Sequence, residues 1–164
     1  MRHSVDEMGC KIGAVYKKNK NPFYENLFFG AVSARGAPLY EAGTPEVKEM
    51  VKYAADGNVI GILCDQKYRR GELIPFMGLN AWTSPAVAGI ANKVGVPLFV
   101  LMCRRDGDEI VAHYHEPIEP RDQRDMMIEV HQIMENWIRE TPEQWYWFHN
   151  RWDKVPADQL HPSD

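Results

Sequence analysis

Four times along this chain a capping side chain stands directly before a proline: Asn21-Pro22, Thr44-Pro45, Ser84-Pro85 and Thr141-Pro142. Asn, Ser and Thr can accept from the unpaired N–H groups of a first helical turn, and proline suits the first helical position because it has no N–H to leave unpaired. Each pair therefore predicts a helix start. Between these starts lie short runs that read as strands: Lys11 to Tyr16, Val59 to Cys64, Pro97 to Cys103, and Glu109 to His115. Strands alternating with helices predict an α/β fold with a mixed, largely parallel sheet flanked by helices. The last two runs are joined by the tight turn Arg105-Asp106-Gly107-Asp108, which predicts an antiparallel hairpin at one side of that sheet.

One further helix is written in periodicity. From Asp122 to Arg139, the residues Met126, Met127, Val130, Ile133, Met134, Trp137 and Ile138 recur at helical spacing opposite Asp125, Glu129, Gln132 and Glu135, so an amphipathic helix is expected to lie on the sheet. Its methionine stripe reads as core, not as a cofactor box. With 164 residues, 45% of them hydrophobic, the chain can bury a sizeable core in one domain. Residues 1–152 are read as that domain, and the polar, proline-punctuated stretch 153–164 as a tail expected to fray.

Charge and motifs narrow the function classes. A formal net charge of -4 argues against a nucleic-acid partner, which calls for a basic excess. Cys10, Cys64 and Cys103 lie within or beside apolar runs without C-x-x-C spacing, which fits reduced, buried thiols and a cytoplasmic setting. No apolar run reaches the roughly 20 residues of a membrane span, and Met1-Arg2-His3-Ser4 leads into Asp6 and Glu7, so the chain reads as neither exported nor spanning. The G-x-S-x-G, P-loop and G-x-G-x-x-G patterns are all missing from the sequence, and hydrolase and nucleotide-binding readings lose their usual support. No cofactor is expected. His113 and His115 alternate along one strand, but without a third ligand nearby no metal site is expected either.

The densest chemistry follows the Val59 to Cys64 run, where Asp65-Gln66-Lys67 leads into Arg69-Arg70-Gly71, Pro75-Phe76-Met77-Gly78 and Thr83-Ser84-Pro85. Three basic clusters, Lys17-Lys18-Lys20, Lys67-Arg69-Arg70 and Arg104-Arg105, each follow a predicted strand. Parallel strands would bring all three to the carboxyl edge of the sheet, where open α/β sheets bind ligands. Cations converging there favour phosphates or an acidic partner; the alternative is scattered surface charge. Asp65 reads either as an acid of the site or as a cap that satisfies backbone donors. Near the end, Trp145, Tyr146, Trp147, Phe148 and Trp152 form either a lipid-facing patch, with His149 and Arg151 as polar tips, or packing against the sheet.

These segments resemble the lipid A biosynthesis acyltransferases, the lauroyl and myristoyl transferases that complete lipopolysaccharide lipid A. The resemblance is carried by Ala14-Val15-Tyr16-Lys17 with Lys20-Asn21-Pro22, similar to the family's V-Y-R-x-x-x-N-P, and by the Asp65-Gln66 block with Gly71, Pro75-Phe76-Met77-Gly78 and Thr83. The closing Pro142-Glu143-Gln144-Trp145-Tyr146-Trp147-Phe148-His149-Asn150-Arg151-Trp152 is similar to the family's P-E-Q-W-x-W-x-H-x-R-W. The resemblance implies fatty acyl transfer from acyl carrier protein to a hydroxyl of a phosphorylated Kdo-lipid A precursor, at the inner face of the cytoplasmic membrane. It places Lys17, Lys18, Asn21, Asp65, Gln66, Arg69, Thr83 and Arg104 on the substrate side, with Asp65 the candidate for catalysis and Thr83 starting a helix that walls the site.

Two departures temper it. The family's H-x-x-x-x-D/E pair, in which His removes the acceptor proton and the acid orients it, has no counterpart: Met8 is fifth after His3, and His113, His115, His131 and His149 have no acid at that spacing. The chain thus looks like the carboxy-terminal half of such an enzyme, lacking the N-terminal part and its membrane helix and catalytically incomplete. The alternative is a non-catalytic anion- or lipid-binding or interaction domain derived from the family. Exposed apolar surface left by the missing part predicts self-association. The second departure is Lys17 where the family usually has Arg, which keeps the charge but loses the bidentate fork.

Overall fold

The computed structural model describes residues 12–18, 20–33 and 38–162. The chain divides into two compact units, Met1–Leu63 and Cys64–Asp164. The fold is a mixed α/β arrangement whose strands form three small sheets, not the one larger sheet that alternation predicts.

In the first unit, β1 (Ile12–Tyr16) is the centre of a three-stranded parallel sheet between β2 (Leu39–Glu41) and β3 (Val59–Gly61). Helices α1 (Pro22–Ser33) and α2 (Val47–Ala55) provide the crossovers. Asn21 caps α1 as its sequence predicts, Oδ1 accepting from the N–H of Phe23 at 3.0 Å and of Tyr24 at 3.5 Å. Thr44-Pro45 marks a turn that precedes its helix: the Thr44 hydroxyl donates to Glu41 O at 2.8 Å, and α2 begins at Val47. Met50 and Ala54 of α2 are buried, as are Ile12 and Tyr40 of the strands. Lys11 and Cys10 lie outside the described residues.

The second unit opens with the hairpin β4 (Glu72–Phe76) and β5 (Leu79–Thr83), which the sequence pattern does not announce. Pro75 argues against a strand, since it cannot donate to a ladder. Counting from the two-residue turn Met77-Gly78, however, it falls at a non-hydrogen-bonded pair opposite Asn80, where a missing N–H costs the ladder nothing. Both turn residues have positive φ, 54° at Met77 and 81° at Gly78, the geometry of a primed hairpin turn. Met77 tolerates it with outside help: its N–H donates to Glu135 Oε1 at 2.7 Å.

Alternation along the hairpin buries Ile74, Phe76, Ala81 and Thr83 on one face. Helices α3 (Ala86–Val94) and α4 (Gln123–Glu140) share this core. Asp122 caps α4, accepting from the N–H groups of Arg124 and Asp125. The expected stripe of α4 is confirmed as core: Met126, Met127, Val130, Ile133, Met134 and Ile138 are buried. A second hairpin, β6 (Leu101–Asp106) with β7 (Glu109–Tyr114), is antiparallel as predicted, although it forms its own two-stranded sheet and starts later than Pro97. Thr141-Pro142 opens only a short 3-10 turn, Pro142–Gln144. The polar tail makes contacts with β5: Asn80 N–H donates to Leu160 O at 2.7 Å, and Asn80 Nδ2 donates to Gln159 O at 2.8 Å.

Candidate functional site

The residues singled out by sequence fall into both units. Lys17 and Lys18 are exposed just past β1, and Asn21 uses its side-chain oxygen to cap α1. The remaining candidates, Asp65, Gln66, Arg69, Thr83 and Arg104, belong to the second unit.

Arg104 and Arg105 do not follow a strand; they lie inside β6. The expected third basic cluster past a strand end is therefore absent, and the Arg104 guanidinium stands 4.0 Å from Glu140. Arg104 lines a pocket of about 40 Å³ with Met102, His113, Trp137 and Glu140. That volume suits a water molecule, not a lipid headgroup. A larger groove of about 280 Å³ is lined by Leu73, Asn80, Arg124, Asp158 and His161, and none of the sequence candidates borders it.

The second basic cluster is partly spoken for. Lys67 Nζ and Arg69 Nη2 both donate to Asp153 Oδ2, at 2.8 and 3.2 Å. The hydrogen bond from Lys67 and the charges of Lys67, Arg69 and Lys154 hold the Asp153 carboxyl below the usual carboxylate range. The Lys67 N–H donates to His149 Nε2 at 2.9 Å. His149 is thus a brace for the loop after Asp65, not a polar tip on an aromatic patch.

Thr83 is likewise repositioned. It ends β5 and is 1% exposed, while Ser84 supplies the turn into α3. Its hydroxyl donates to Ala81 O at 3.0 Å and accepts from Arg151 Nη2 at 3.1 Å. Arg151, also 1% exposed, is the centre of the unit's polar interior. Its Nη1 donates to Trp82 O at 2.5 Å, and Nη2 also lies 3.3 Å from His131 Nε2. The guanidinium stands over the Phe76 ring, 5.6 Å from its centroid.

These contacts fix the state of His131. Its Nδ1 is 2.8 Å from Pro75 O, a carbonyl that can only accept, so Nδ1 carries the proton. Nε2 is then the acceptor that faces the guanidinium. Burial, opposed by the bond to Pro75 and aided by the Arg151 charge, lowers the His131 pKa from 6.5 to about 4. A neutral imidazole with both nitrogens committed cannot take a proton from a substrate hydroxyl. Burial also lowers the Arg151 pKa, partly offset by Cys64 and Asp65. It pushes the Cys64 thiol up, a direction Asp65 reinforces and Arg151 opposes.

Asp65 itself is half-buried beside this network, and its Oδ1 is buried with no protein hydrogen-bond partner. Nε of Arg151 is buried and unpartnered too. Gln66 is exposed. The loop's exit is tightly fitted: a Cβ on Gly71 would stand 1.9 Å from Thr83 O, so only glycine lets the chain pass β5 there.

The aromatic cluster near the end divides in two. Trp145 and Trp152 pack around Phe76, with ring centroids 6.1 and 6.0 Å away, and Trp152 Nε1 donates to Phe76 O. Tyr146, Trp147 and Phe148 are exposed. The P-F-M-G and W-x-W-x-H-x-R-W segments, distant in sequence, are thus one packed constellation around Phe76 and Arg151.

The bacterial lipid A biosynthesis acyltransferase family model matches residues 4–154. The chain belongs to that family. Among curated proteins no match is found. Membership carries a lipid A acyltransferase-type function in general, acting on an acyl donor and a lipid A acceptor. The three motifs that carry the resemblance all lie inside the matched span. Among the described residues no histidine is paired with a carboxylate; His115, His131 and His149 contact backbone groups, Thr83 and Arg151. No described helix is long and apolar enough to cross a membrane, and no described cluster of His, Cys, Asp and Glu could hold a metal.

Two residues of this site escaped the sequence reading. Arg151 is read from sequence as a polar tip in only one of two readings of the aromatic segment, and arginines are rarely buried. His131 was passed over although its position was a signal: with Met127, Val130 and Met134 it occupies the apolar stripe of α4, where a polar side chain needs buried partners.

Proposed function

We propose that this chain engages a phosphorylated Kdo-lipid A precursor as acyl acceptor and acyl carrier protein as donor, peripheral to the inner membrane. We propose further that these residues alone do not complete the transfer. Asp65 organises the acceptor pocket. In the first unit Lys17 and Lys18, beside Asn21, meet anionic groups; in the second, Gln66, Arg69 and Arg104 offer polar and cationic groups of their own, while Thr83 acts from the interior through Arg151.

One observation carries this reading: Asp65 Oδ1 is a buried acceptor left without a protein donor, beside a guanidinium whose Nε is likewise unpartnered. Such an atom is costly unless something satisfies it, and a hydroxyl of an acceptor sugar is a group of the right chemistry. The incompleteness follows from the histidines. His131 is neutral and enclosed, His149 is spent on Lys67, and none has the acid partner that base catalysis by imidazole requires. The same geometry favours the second reading, a binding domain of the family without chemistry of its own.

The purified chain should bind the phosphorylated precursor, lose affinity about tenfold or more as Asp65→Asn, and show no transfer from labelled acyl carrier protein above buffer. Failure to bind the precursor would overturn the acceptor assignment. Transfer by the chain alone would overturn the incompleteness. Adding a polypeptide that carries an H-x-x-x-x-D/E segment separates the two readings: restored transfer marks half of an enzyme, and continued silence marks a binding domain.

A further inference from the structure

Three segments distant in sequence meet at one carbonyl. Trp82 O, at the end of β5, accepts from Tyr68 N–H at 3.0 Å and from Arg151 Nη1 at 2.5 Å. The first donor belongs to the loop that carries Asp65, the second to the closing aromatic segment. On either side of Arg151 the same segment takes hold of that loop again. His149 accepts from Lys67 N–H, and Asp153 accepts from Lys67 Nζ and Arg69 Nη2. Residues 149, 151 and 153, alternating along the chain, thus grip residues 67–69 and the strand end beneath them.

The loop has little else to hold it. Its apolar contribution to the core is Cys64, Tyr68 is exposed, and Gly71 offers no side chain. The Asp65 carboxylate sits next to this grip with one buried oxygen unpartnered, as the guanidinium does with Nε. The half-buried carboxylate and the buried guanidinium, each with one atom short of a hydrogen-bonding partner, attract by charge without forming a direct ion pair.

We propose that Arg151 is a positioning residue for Asp65: with His149 and Asp153 it straps the 65–70 loop onto the end of β5 and balances the carboxylate's charge. The inference rests on the assignment of Asp65 to the acceptor pocket, and it extends that assignment to a buried residue that touches no substrate. The strap explains why the closing motif contains H-x-R among its tryptophans. The tryptophans fill space around Phe76, and the polar residues between them secure a loop.

The test uses the full chain without donor or acceptor, so its outcome is independent of acyl transfer. Lys67, Arg69 and Arg70 make the loop a substrate for trypsin, while Lys93 in α3 and Arg139 in α4 serve as internal controls. In Arg151→Met, cleavage at 67–70 should rise about tenfold or more over the controls; Arg151→Lys, which keeps the charge, should fall between it and the parent. Asp153→Asn should raise cleavage at Lys67 and Arg69 while leaving Arg151 in place, and it carries the test if Arg151→Met does not fold. The charge balance is read by Asp65→Asn in two backgrounds. It should lower the unfolding midpoint of the parent, where it strands a buried cation, and leave unchanged or raise that of the Arg151→Met background, with Arg151→Lys the second background if Arg151→Met does not fold. For Lys, whose charge remains, a reduced loss is the expected result. Cleavage that rises equally at loop and control sites, or an undiminished loss from Asp65→Asn in the variant background, overturns the proposal. If the strap stands but Asp65→Asn leaves precursor binding intact, it is the pocket assignment that fails.

Discussion

The two units solve the problem of placing polar residues in opposite ways. In the first, the polar side chains that set helix and turn starts work locally: Asn21 bonds two and three residues ahead, Thr44 three residues back, and Glu46 accepts from Glu41 N–H five residues away. In the second, polar side chains reach across the fold. Arg151 meets Trp82 and Thr83, His131 meets Pro75, and Lys67 meets Asp153. Local bonds fix where helices and turns begin. Distant ones fix which loop lies on which strand, and they do so with groups whose burial is tolerable only while every partner is present.

The sharpest way to break the contrast is Gly71→Ala. One methyl group aimed at a backbone oxygen 1.9 Å away cannot be absorbed by a side-chain rotation, and a loss of more than about 4 kcal/mol is expected in denaturant unfolding. Arg151→Met comes next, at about 3–5 kcal/mol, because it removes the cation and leaves buried acceptors without a donor. Both losses should appear as hydrogen exchange concentrated in the second unit.

Acidification tests the same interior without mutation. His131 in the native chain resists protonation down to about pH 4, against an ordinary value of 6.5. Between those values the unfolded chain takes up a proton that the native chain refuses. The stabilisation is therefore complete above about pH 6.5 and lost as pH falls toward 4, amounting to about 3 kcal/mol. Urea unfolding midpoints across that window should show it, and His131→Asn should flatten the dependence. The first unit has no histidine among its described residues, so exchange there should change less. Smallest is Asn21→Ala, at about 1 kcal/mol, seen as faster exchange in the first turn of α1 and nowhere in the second unit.

Legibility in the sequence follows this division. The cap of α1, the α4 stripe and the β6–β7 hairpin could be read because their causes lie within a few residues of their effects. The β4–β5 hairpin could not, since Pro75 masked it and its turn places a methionine at positive φ with support from Glu135. Asp65 was found through its motif. Its companions were not, because a buried arginine looks like any other arginine until a carbonyl, a hydroxyl and an imidazole are seen around it. The single larger sheet was expected from alternation alone; alternation specifies neighbours along the chain, not which strands share hydrogen bonds.

The contacts along the outer side of β5 have one more consequence. A two-stranded ribbon exposes two rows of unpaired backbone groups, and such rows invite pairing with strands from other molecules. Here Asn80 N–H is taken by Leu160 O, and Trp82 O by Tyr68 and Arg151. On the opposite side, Leu73 O accepts from Arg124 Nη1 and Pro75 O from His131, while Pro75 has no N–H to offer. These contacts occupy part of each row, so both sides of the hairpin at the centre of this unit offer an incoming strand an interrupted template.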